Sequence, residues 1–405
     1  MPKLTTATWR HRHAQMTALM DAQDLDALIF TSADFFQFAT NFHTDVLPWE
    51  RPIFAVVPRN GEPFLVMNEL STHHMRFSVE QGKVWITDVS YYAEHPRVTQ
   101  RLPLLAQLPD LVAQRLAQAG LARSRIGVEG ASAVLAAVAA LLPDLRLRPC
   151  TRECRTLRWR KHAEELAVMT AIGSIADWLQ DRYRENIRPG RLVQELDFAM
   201  ASLWVQEAAE RFPGEHFEVI RAWTLSGPAS ASPHGDGASC GARIREGDVL
   251  VNILIPRLNG LAIENERTWF CGRPSKEQTA LWTAARDANE AGIAAAVTGA
   301  PVSAIDAAAQ AVIEKAGFAD CIRHRTGHAI GIMHHEYPED MAFCHRPLVH
   351  NEVYSVEPGL YAYGIGGFRI DDTVVTGATP RTLTATPKTL DYATCLLYTS
   401  DAADE

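Results

Sequence analysis

Short apolar runs alternate with stretches of helical periodicity over the first 150 residues. Two runs, 52–57 and 63–67, flank Arg59-Asn60-Gly61-Glu62, a polar segment with the glycine typical of a hairpin turn. The other runs of strand length are 25–31, 84–86 and 126–129, and helical patterns cover 9–23, 104–119 and 131–142. This alternation predicts an α/β domain over residues 1–150.

A basic segment, 151–161, follows this domain, and we interpret it as a solvated linker. The pattern beyond the linker contains weak internal repeats, each with apolar residues at matching positions. The repeated pairs are Gly190–Ala199 with Gly299–Ala308, and 247–253 with 350–357. They predict that residues 162–395 fold as two similar α/β halves, with a site in the crevice between them.

The two ends of the chain carry no obvious structural pattern. The first residues lack the apolar segment of a signal peptide. The last ten, 396–405, do not continue the preceding pattern, and we interpret them as a non-native tail that replaces the natural C-terminus.

Composition narrows the class of protein. Of 405 residues, 47% are hydrophobic and 21% charged, which is typical of a globular chain with a sizeable core. The net charge of −9 argues against nucleic-acid binding, and no apolar run is long enough for a membrane helix. The seven cysteines are scattered, so we expect reduced thiols and a cytoplasmic protein.

The residues that could carry chemistry fall into four polar clusters far apart in sequence. Two of them lie close to the apolar, strand-length runs 249–255 and 353–356. Carboxylates at the ends of buried strands are costly unless they are paired, protonated or bound to metal. The candidate side chains are His234, then Glu264 and Glu266, then His328 and His335, and finally Glu357 and Asp371. Their convergence on one crevice would favour acid–base chemistry.

Three motifs within these clusters resemble a known family. They are Gly327-His328-Ala329-Ile330-Gly331 with His335-Glu336-x-Pro338, Ser355-Val356-Glu357-Pro358-Gly359-Leu360-Tyr361, and Phe368-Arg369-Ile370-Asp371-Asp372-Thr373. Together they resemble the pita-bread (M24) family of creatinase, prolidase and aminopeptidase P. The resemblance covers residues 8–390 and implies a creatinase/prolidase-type N-terminal α/β domain followed by a pita-bread domain with a pseudo-twofold internal repeat.

The resemblance also implies a metal site from which this sequence departs. Metallopeptidases of the family use five ligands, and the first acidic position holds Ile253, which cannot bind metal. The other four positions hold Glu264, His328, Glu357 and Asp371. We therefore expect no metal cofactor, and a single divalent ion on these four residues is the alternative.

Creatinase, the family member that works without metal, gives a more specific resemblance. Its sequence pattern matches Gly247-Asp248-Val249-Leu250 and Glu266-Arg267-Thr268. The match implies catalytic roles for His234, Glu266, Glu357 and His328. Creatinase has a substrate-binding arginine where this chain has Glu339, so creatine itself is not the expected substrate.

Other residues are expected to bind substrate. Arg51 is the candidate anchor for a substrate carboxylate, and His335 and Asp371 are further candidates. In the family, the N-terminal domain reaches over a partner's site, which implies a homodimer.

Four functions remain open from the sequence. The first is a creatinase-like, metal-independent hydrolase of a C–N bond in a small guanidino, amidine or dipeptide-like compound. The second is a metal-dependent Xaa-Pro aminopeptidase or dipeptidase. A pita-bread lyase and an inactive pita-bread binding protein are the others.

Overall fold

The computed structural model describes residues 2–44, 46–93, 107–235, 241–338 and 340–395. The proposed tail, Glu339 and the start of the predicted helix 104–119 lie outside these ranges. The chain divides into two compact units. The N-terminal unit is Leu4–Arg158, and the C-terminal unit is Trp159–Glu405 together with Met1–Lys3.

The N-terminal unit is a mixed α/β structure. Its helices are α1 (Thr6–Gln23), α2 (Ala33–Thr40), α3 (Thr72–Glu80), α4 (Leu108–Gln118), α5 (Ala133–Leu141) and α6 (Thr151–Thr156). Its strands are β1 (Ala27–Phe30), β2 (Phe54–Pro58), β3 (Phe64–Asn68), β4 (Val89–Tyr92), β5 (Arg125–Val128) and β6 (Arg146–Pro149). They form one sheet in the order β4-β3-β2-β1-β5-β6. The hairpin of β2 and β3 turns at Gly61, whose φ of 114° suits glycine.

Two features of this unit differ from the sequence-based expectation. Residues 84–86 form no strand, and the edge strand is β4, which follows them in the chain. The predicted linker begins with α6 instead of solvated coil. Arg158 in that segment is buried, pairs with Asp34 and lies 4.5 Å over the ring of Phe35. The basic segment is therefore partly packed, because Arg158 contacts both a carboxylate and an aromatic ring.

The C-terminal unit holds the remaining elements. Its helices are α7 (Ala163–Asn186), α8 (Val193–Arg211), α9 (Lys276–Ala295), α10 (Ser303–Lys315) and α11 (Leu390–Ala393). Its strands are β7 (Phe217–Ser226), β8 (Val249–Leu258), β9 (Leu261–Ala262), β10 (Asn265–Cys271), β11 (Gly327–Ala329), β12 (Val353–Val356), β13 (Gly359–Ala362), β14 (Gly366–Arg369), β15 (Asp371–Val375), β16 (Arg381–Thr382) and β17 (Thr394–Cys395). Single 3₁₀ turns occur at Glu69–Ser71 in the N-terminal unit, and at Gly227–Ala231, Ala319–Cys321 and Met341–Phe343 in this one.

One large sheet organises the C-terminal unit. Its strand order is β11-β12-β15-β10-β8-β7, and a separate hairpin pairs β13 with β14. The long helices start at defined caps: Ser275 and Gln278 form a capping box on α9, and His162 and Glu165 form one on α7. Among the described residues, no helix combines the length and apolar character that a membrane crossing requires.

The predicted internal repeat has a counterpart in two buried aspartates at matching positions of α8 and α10. Asp197 accepts the backbone N–H of Thr224 at 3.0 Å and its hydroxyl at 2.6 Å. Asp306 accepts the backbone N–H of Thr326 at 2.7 Å. In both halves a helix carboxylate thus fixes the strand that approaches the sheet, which supports the interpretation of two similar halves.

Asp197 generates a prediction about stability. Burial raises the pKa of Asp197 to about 6, above its ordinary 3.8, although its hydrogen bonds lower it. The folded state therefore holds this proton more tightly than the unfolded chain. Ionisation destabilises the fold progressively from about pH 4 to about pH 6, and the penalty is complete above that range.

The variant Asp197→Asn removes this ionisation. Its free energy of unfolding relative to the wild type should rise by up to about 3 kcal/mol between pH 4 and pH 7. Urea denaturation at a series of pH values measures the difference. A difference that stays constant with pH would show that Asp197 does not titrate in this range.

Candidate active site

A cavity of about 370 Å³ opens on the large sheet of the C-terminal unit. Its lining residues are Arg221, Trp223, His234, Ile253, Ile255, Glu264, Glu266, His334, His335, Glu357 and Arg369. Its floor comes from β7, β8 and the start of β10, and its walls carry histidines from two loops. Acidic, basic and apolar side chains therefore meet in one concave space, which is typical of a small-molecule site.

The pairing of β10 with β8 explains why two carboxylates face the cavity. Glu266 lies directly opposite Ile253 in this antiparallel pair. Glu264 lies immediately before β10, two residues from Glu266, and its side chain lines the same cavity. Both carboxylates are only 3% exposed, and both line the cavity.

His328 lies between two carboxylates. Its Nε2 is 3.3 Å from Oε2 of Glu264 and 3.4 Å from Oε1 of Glu357. This nitrogen nevertheless forms no well-aligned hydrogen bond with the described residues. The close pairing of β11 and β12 holds it there. A Cβ on the preceding Gly327 would lie 1.9 Å from the carbonyl oxygen of Ser355, so this position requires glycine.

The other carboxylate, Glu266, is paired with a buried arginine. Nε of Arg369 lies 2.5 Å from its Oε2, and Nη2 donates to its Oε1 at 3.0 Å. The same guanidinium reaches Glu357 Oε2 at 3.8 Å and donates to the Tyr361 hydroxyl at 3.3 Å. This ion pair, with its one well-aligned hydrogen bond, holds the arginine against one wall of the cavity.

Asp371 completes the group of acids behind the cavity. It lies opposite Glu266 in the pairing of β10 with β15. Its Oδ1 accepts the Ser355 hydroxyl at 3.0 Å and the Val356 N–H at 3.1 Å, whereas its buried Oδ2 has no hydrogen-bond partner among the described residues. One carboxylate oxygen thus anchors Asp371 to β12, and the other is available as a ligand.

The crowding of negative charge shifts the pKa values of these groups. Burial, together with the charges of Glu264, Glu266 and Glu357, raises the pKa of Asp371 well above its usual range. Burial raises the pKa of Glu266 to about 8, although Arg369 lowers it. Burial alone would lower the pKa of His328, but Glu264 and Glu357 raise it far above its ordinary value.

Glu357 shifts in the opposite direction. Burial alone would raise its pKa, but contact with His328 and the positive charges of His324 and Arg369 hold the pKa well below its usual range. This carboxylate is therefore ionised, whereas its acidic neighbours compete for protons. Such a separation of pKa values is typical of catalytic sites.

Three histidines border the group of acids. His335 stacks on His328 with ring centroids 3.7 Å apart, and His334 contacts His335 at 5.1 Å. Burial and the charge of His328 lower the pKa of His335 to about 4, which leaves its imidazole neutral at pH 7. For His234, burial lowers the pKa, with a further contribution from the positive charge of Arg369.

Glu336 fixes the loop that carries these histidines. Its carboxylate accepts the backbone N–H of Ile332 at 2.8 Å and pairs with the buried Lys161 at 3.1 Å. Lys161 belongs to the segment that was predicted to be a solvated linker, whereas it pairs here with Glu336. Both are buried, because each neutralises the other.

The donor atoms of this site fit one metal ion. One ligand atom each from Glu264, His328 and His335 lie within 4.8 Å of one another. Bonds of about 2.0–2.1 Å to a tetrahedral ion place neighbouring donors about 3.4 Å apart. The 3.3 Å separation between His328 Nε2 and Glu264 Oε2 matches this spacing, and Glu357 Oε1 lies 3.4 Å from the same nitrogen. Ile253, in contrast, offers no donor for a second ion.

The structure brings most of the predicted site residues together. His234, Glu264, Glu266, His335 and Glu357 line the cavity, and His328 and Asp371 lie behind it. Arg51 belongs to the N-terminal unit, where its Nη1 donates to Glu50 at 2.8 Å.

Several residues of this cavity were not predicted from the sequence. Arg221 and Trp223 belong to no motif, and the pairing of Arg369 with Glu266 depends on strand register. Alternation of polar and apolar residues within 217–226 was the available signal for Arg221.

Comparison with known proteins agrees with this arrangement. The model for metallopeptidase family M24 matches residues 167–378, and the model for the creatinase/prolidase N-terminal domain matches residues 12–159. Since the first match covers more than half of the sequence, the chain belongs to metallopeptidase family M24. The predicted fold class, an α/β N-terminal domain followed by a pita-bread domain, is confirmed, as is the prediction of a hydrolase acting on C–N bonds.

Individual relatives are peptidases by name. A putative dipeptidase, YkvY of Bacillus subtilis, is 26% identical over 380 residues, covering 92% of this chain and 96% of that protein. An Xaa-Pro dipeptidase of Pyrococcus furiosus is 30% identical over 221 residues, covering 55% and 61%. The crystal structure of dipeptidase PepE from Mycobacterium ulcerans superposes with a TM-score of 0.79 at 26% identity, covering 97% of this chain and 99% of that one.

The buried pair of Arg369 and Glu266 leads to a prediction about stability. Arg369→Met leaves Glu266 buried without its partner and should lower the free energy of unfolding by about 3–5 kcal/mol. Adding Glu266→Gln removes the uncompensated charge, so the double variant should be more stable than the sum of the single effects predicts. Chemical denaturation of the four proteins in this cycle measures the coupling. Strictly additive effects would show that the pair contributes no interaction energy.

Proposed function

We propose that this protein is a dipeptidase that works with one divalent metal ion. The observation that carries the proposal is the spacing of donors around Nε2 of His328, with two carboxylate oxygens at 3.3 and 3.4 Å. An imidazole nitrogen with carboxylate oxygens is a donor set that suits divalent transition metals. The expectation that no metal is needed lacks support, since the chain belongs to a metallopeptidase family.

Four residues would hold the ion in this proposal. Glu264, His328 and Glu357 would bind through the atoms that already face one another, and Asp371 through its unpartnered Oδ2. Because Ile253 stands at the remaining ligand position, the proposal is limited to one ion. When bound, the ion would supply the Lewis acidity that polarises the carbonyl of the scissile bond.

The side chains of the cavity would carry out the remaining steps. His234 would accept a proton from the attacking water and return it to the leaving amine. Glu266 would hold Arg369, and the guanidinium would stabilise negative charge on the substrate oxygen. His335, stacked on His328, would orient that ligand and contact the substrate.

The proposed substrate is a dipeptide. The names of the relatives, dipeptidase and Xaa-Pro dipeptidase, favour this class. A cavity of about 370 Å³ lies at the small end of the range for ligand pockets, which agrees with a small substrate. The homodimer, the cytoplasmic location and the role of Arg51 stay predictions.

Metal analysis with two matched variants tests the proposal. Glu264 and Glu266 lie two residues apart on one face and are equally buried, but only Glu264 is a proposed ligand. After expression with zinc, manganese or cobalt, the wild type and Glu266→Gln should each bind one equivalent of metal by mass spectrometry. Glu264→Gln should lose at least nine-tenths of it, because one donor is replaced by a neutral amide.

Activity is measured in parallel. The wild type should hydrolyse leucyl-proline or another dipeptide, lose activity with a chelator and regain it with metal. Metal-free protein with chelator-resistant hydrolysis of guanidino or amidine compounds would establish the creatinase-like alternative. Metal-loaded protein that cleaves no dipeptide would contradict the proposed reaction and leave the metal site intact.

A further inference from the structure

The side chains on the cavity floor form two rows across three strands, and they change from acidic to basic across the floor. Strand register sets these rows: Ile253 lies opposite Glu266 on β10 and opposite Trp223 on β7, and Ile255 lies opposite Arg221. One row is Glu266–Ile253–Trp223, and the second is Ile255–Arg221, with Glu264, immediately before β10, continuing it. The floor therefore passes from carboxylates, across isoleucines, to an arginine beside a tryptophan.

Arg221 enters the cavity next to an irregularity in its strand. The pairing of β7 with β8 shifts register between Val219 and Arg221, where Pro256 of β8 faces Val219. Proline has no N–H to donate, so a bulge at this point preserves the rest of the ladder. Bulges also redirect neighbouring side chains. The guanidinium of Arg221 lies 5.0 Å from the ring of Trp223, which supports it from one side.

The charge of Arg221 has no counterion in this part of the molecule. Among residues 2–44, 46–93, 107–235, 241–338 and 340–395, no carboxylate forms an ion pair with it. The other arginine of the cavity, Arg369, is satisfied by Glu266. A half-buried guanidinium that faces a cavity without a partner is a binding group for an anion, and its planar fork matches a carboxylate.

We propose that Arg221 binds the α-carboxylate of the substrate, an inference that rests on the proposed dipeptidase function. Two strand spacings, about 9.6 Å, separate the backbones of β10 and β7. A C-terminal residue spans about 3.5 Å, and the arginine side chain covers the remaining distance. The side chain of that residue then lies over Ile253 and Ile255, which favours a C-terminal residue that is apolar, such as proline or leucine.

This placement defines a substrate class. The enzyme requires a free carboxylate one residue beyond the scissile bond, so it accepts dipeptides and discriminates against dipeptide amides and longer peptides. Arg221, which sequence reasoning missed, thus has the carboxylate-binding role that the sequence suggested for Arg51.

Steady-state kinetics with two substrates tests this inference. Leucyl-proline and leucyl-prolinamide differ only in the group that meets Arg221. The wild type should favour leucyl-proline by about 100-fold in kcat/KM. Arg221→Met should raise KM for leucyl-proline by about 10- to 100-fold, change kcat by less than threefold and leave leucyl-prolinamide unaffected. Arg221→Lys should recover part of the preference.

A matched control separates this effect from a general loss of positive charge. Arg257 lies on β8 and pairs with Glu218 at 3.0 Å, and it does not line the cavity. Arg257→Met should leave both substrates unchanged. An Arg221→Met variant that loses kcat equally with both substrates would overturn the inference.

Binding of the product provides a readout that does not require turnover. Calorimetry should show that L-proline binds the wild type and that L-prolinamide does not, and that Arg221→Met loses proline binding. If the wild type hydrolyses neither dipeptide, the proposed function fails, whereas proline binding that depends on Arg221 still supports the carboxylate site. Equal binding of proline to wild type and variant, or no binding to either, overturns it.

Discussion

The backbone ladder of β10 is the constraint on which the site depends. On one side it sets Glu266 opposite Ile253, and on the other it sets Glu266 opposite Asp371. Because strand side chains alternate between faces, a slip of one residue would turn Glu264 and Glu266 away from the cavity. Main-chain hydrogen bonds therefore determine which side chains of β10 face the cavity.

Electrostatic balance is the second constraint on this fold. Four acids, Glu264, Glu266, Glu357 and Asp371, lie close together. Arg369 pairs with Glu266, and His328 lies between Glu264 and Glu357, which reduces the repulsion among them. Hydrogen bonds reduce the free-energy cost of burying these acids, since Ser355 and Val356 both donate to one oxygen of Asp371. Burial and the remaining repulsion raise the pKa values of Glu266 and Asp371, and a cation bound in the proposed metal site would favour their ionised forms and so link the stability of the domain to its ligand.

The sequence predicted those features that reside in local patterns. Strand β12 has the predicted bounds, Val353–Val356, and the motif residues His328 and Glu357 meet as expected. Other contacts between residues that are far apart in the sequence were not predicted. The partner of Glu266 is Arg369, 103 residues away, and the position of Arg221 follows from a bulge opposite Pro256. The apolar run 84–86 formed no strand, because β4 supplies the edge of that sheet.

The change from acidic to basic side chains across the cavity floor has a consequence for the orientation of a substrate. Glu264 and Glu266 lie on one side of Ile253 and Ile255, and Arg221 lies on the other, so the two ends of the cavity floor differ in polarity. The roles proposed for these groups give a dipeptide one favoured alignment, with its ammonium end toward the acids and its carboxylate end toward Arg221. The cavity would therefore distinguish the two ends of a short peptide by polarity, since a peptide bound in reverse would place its carboxylate against Glu264 and Glu266.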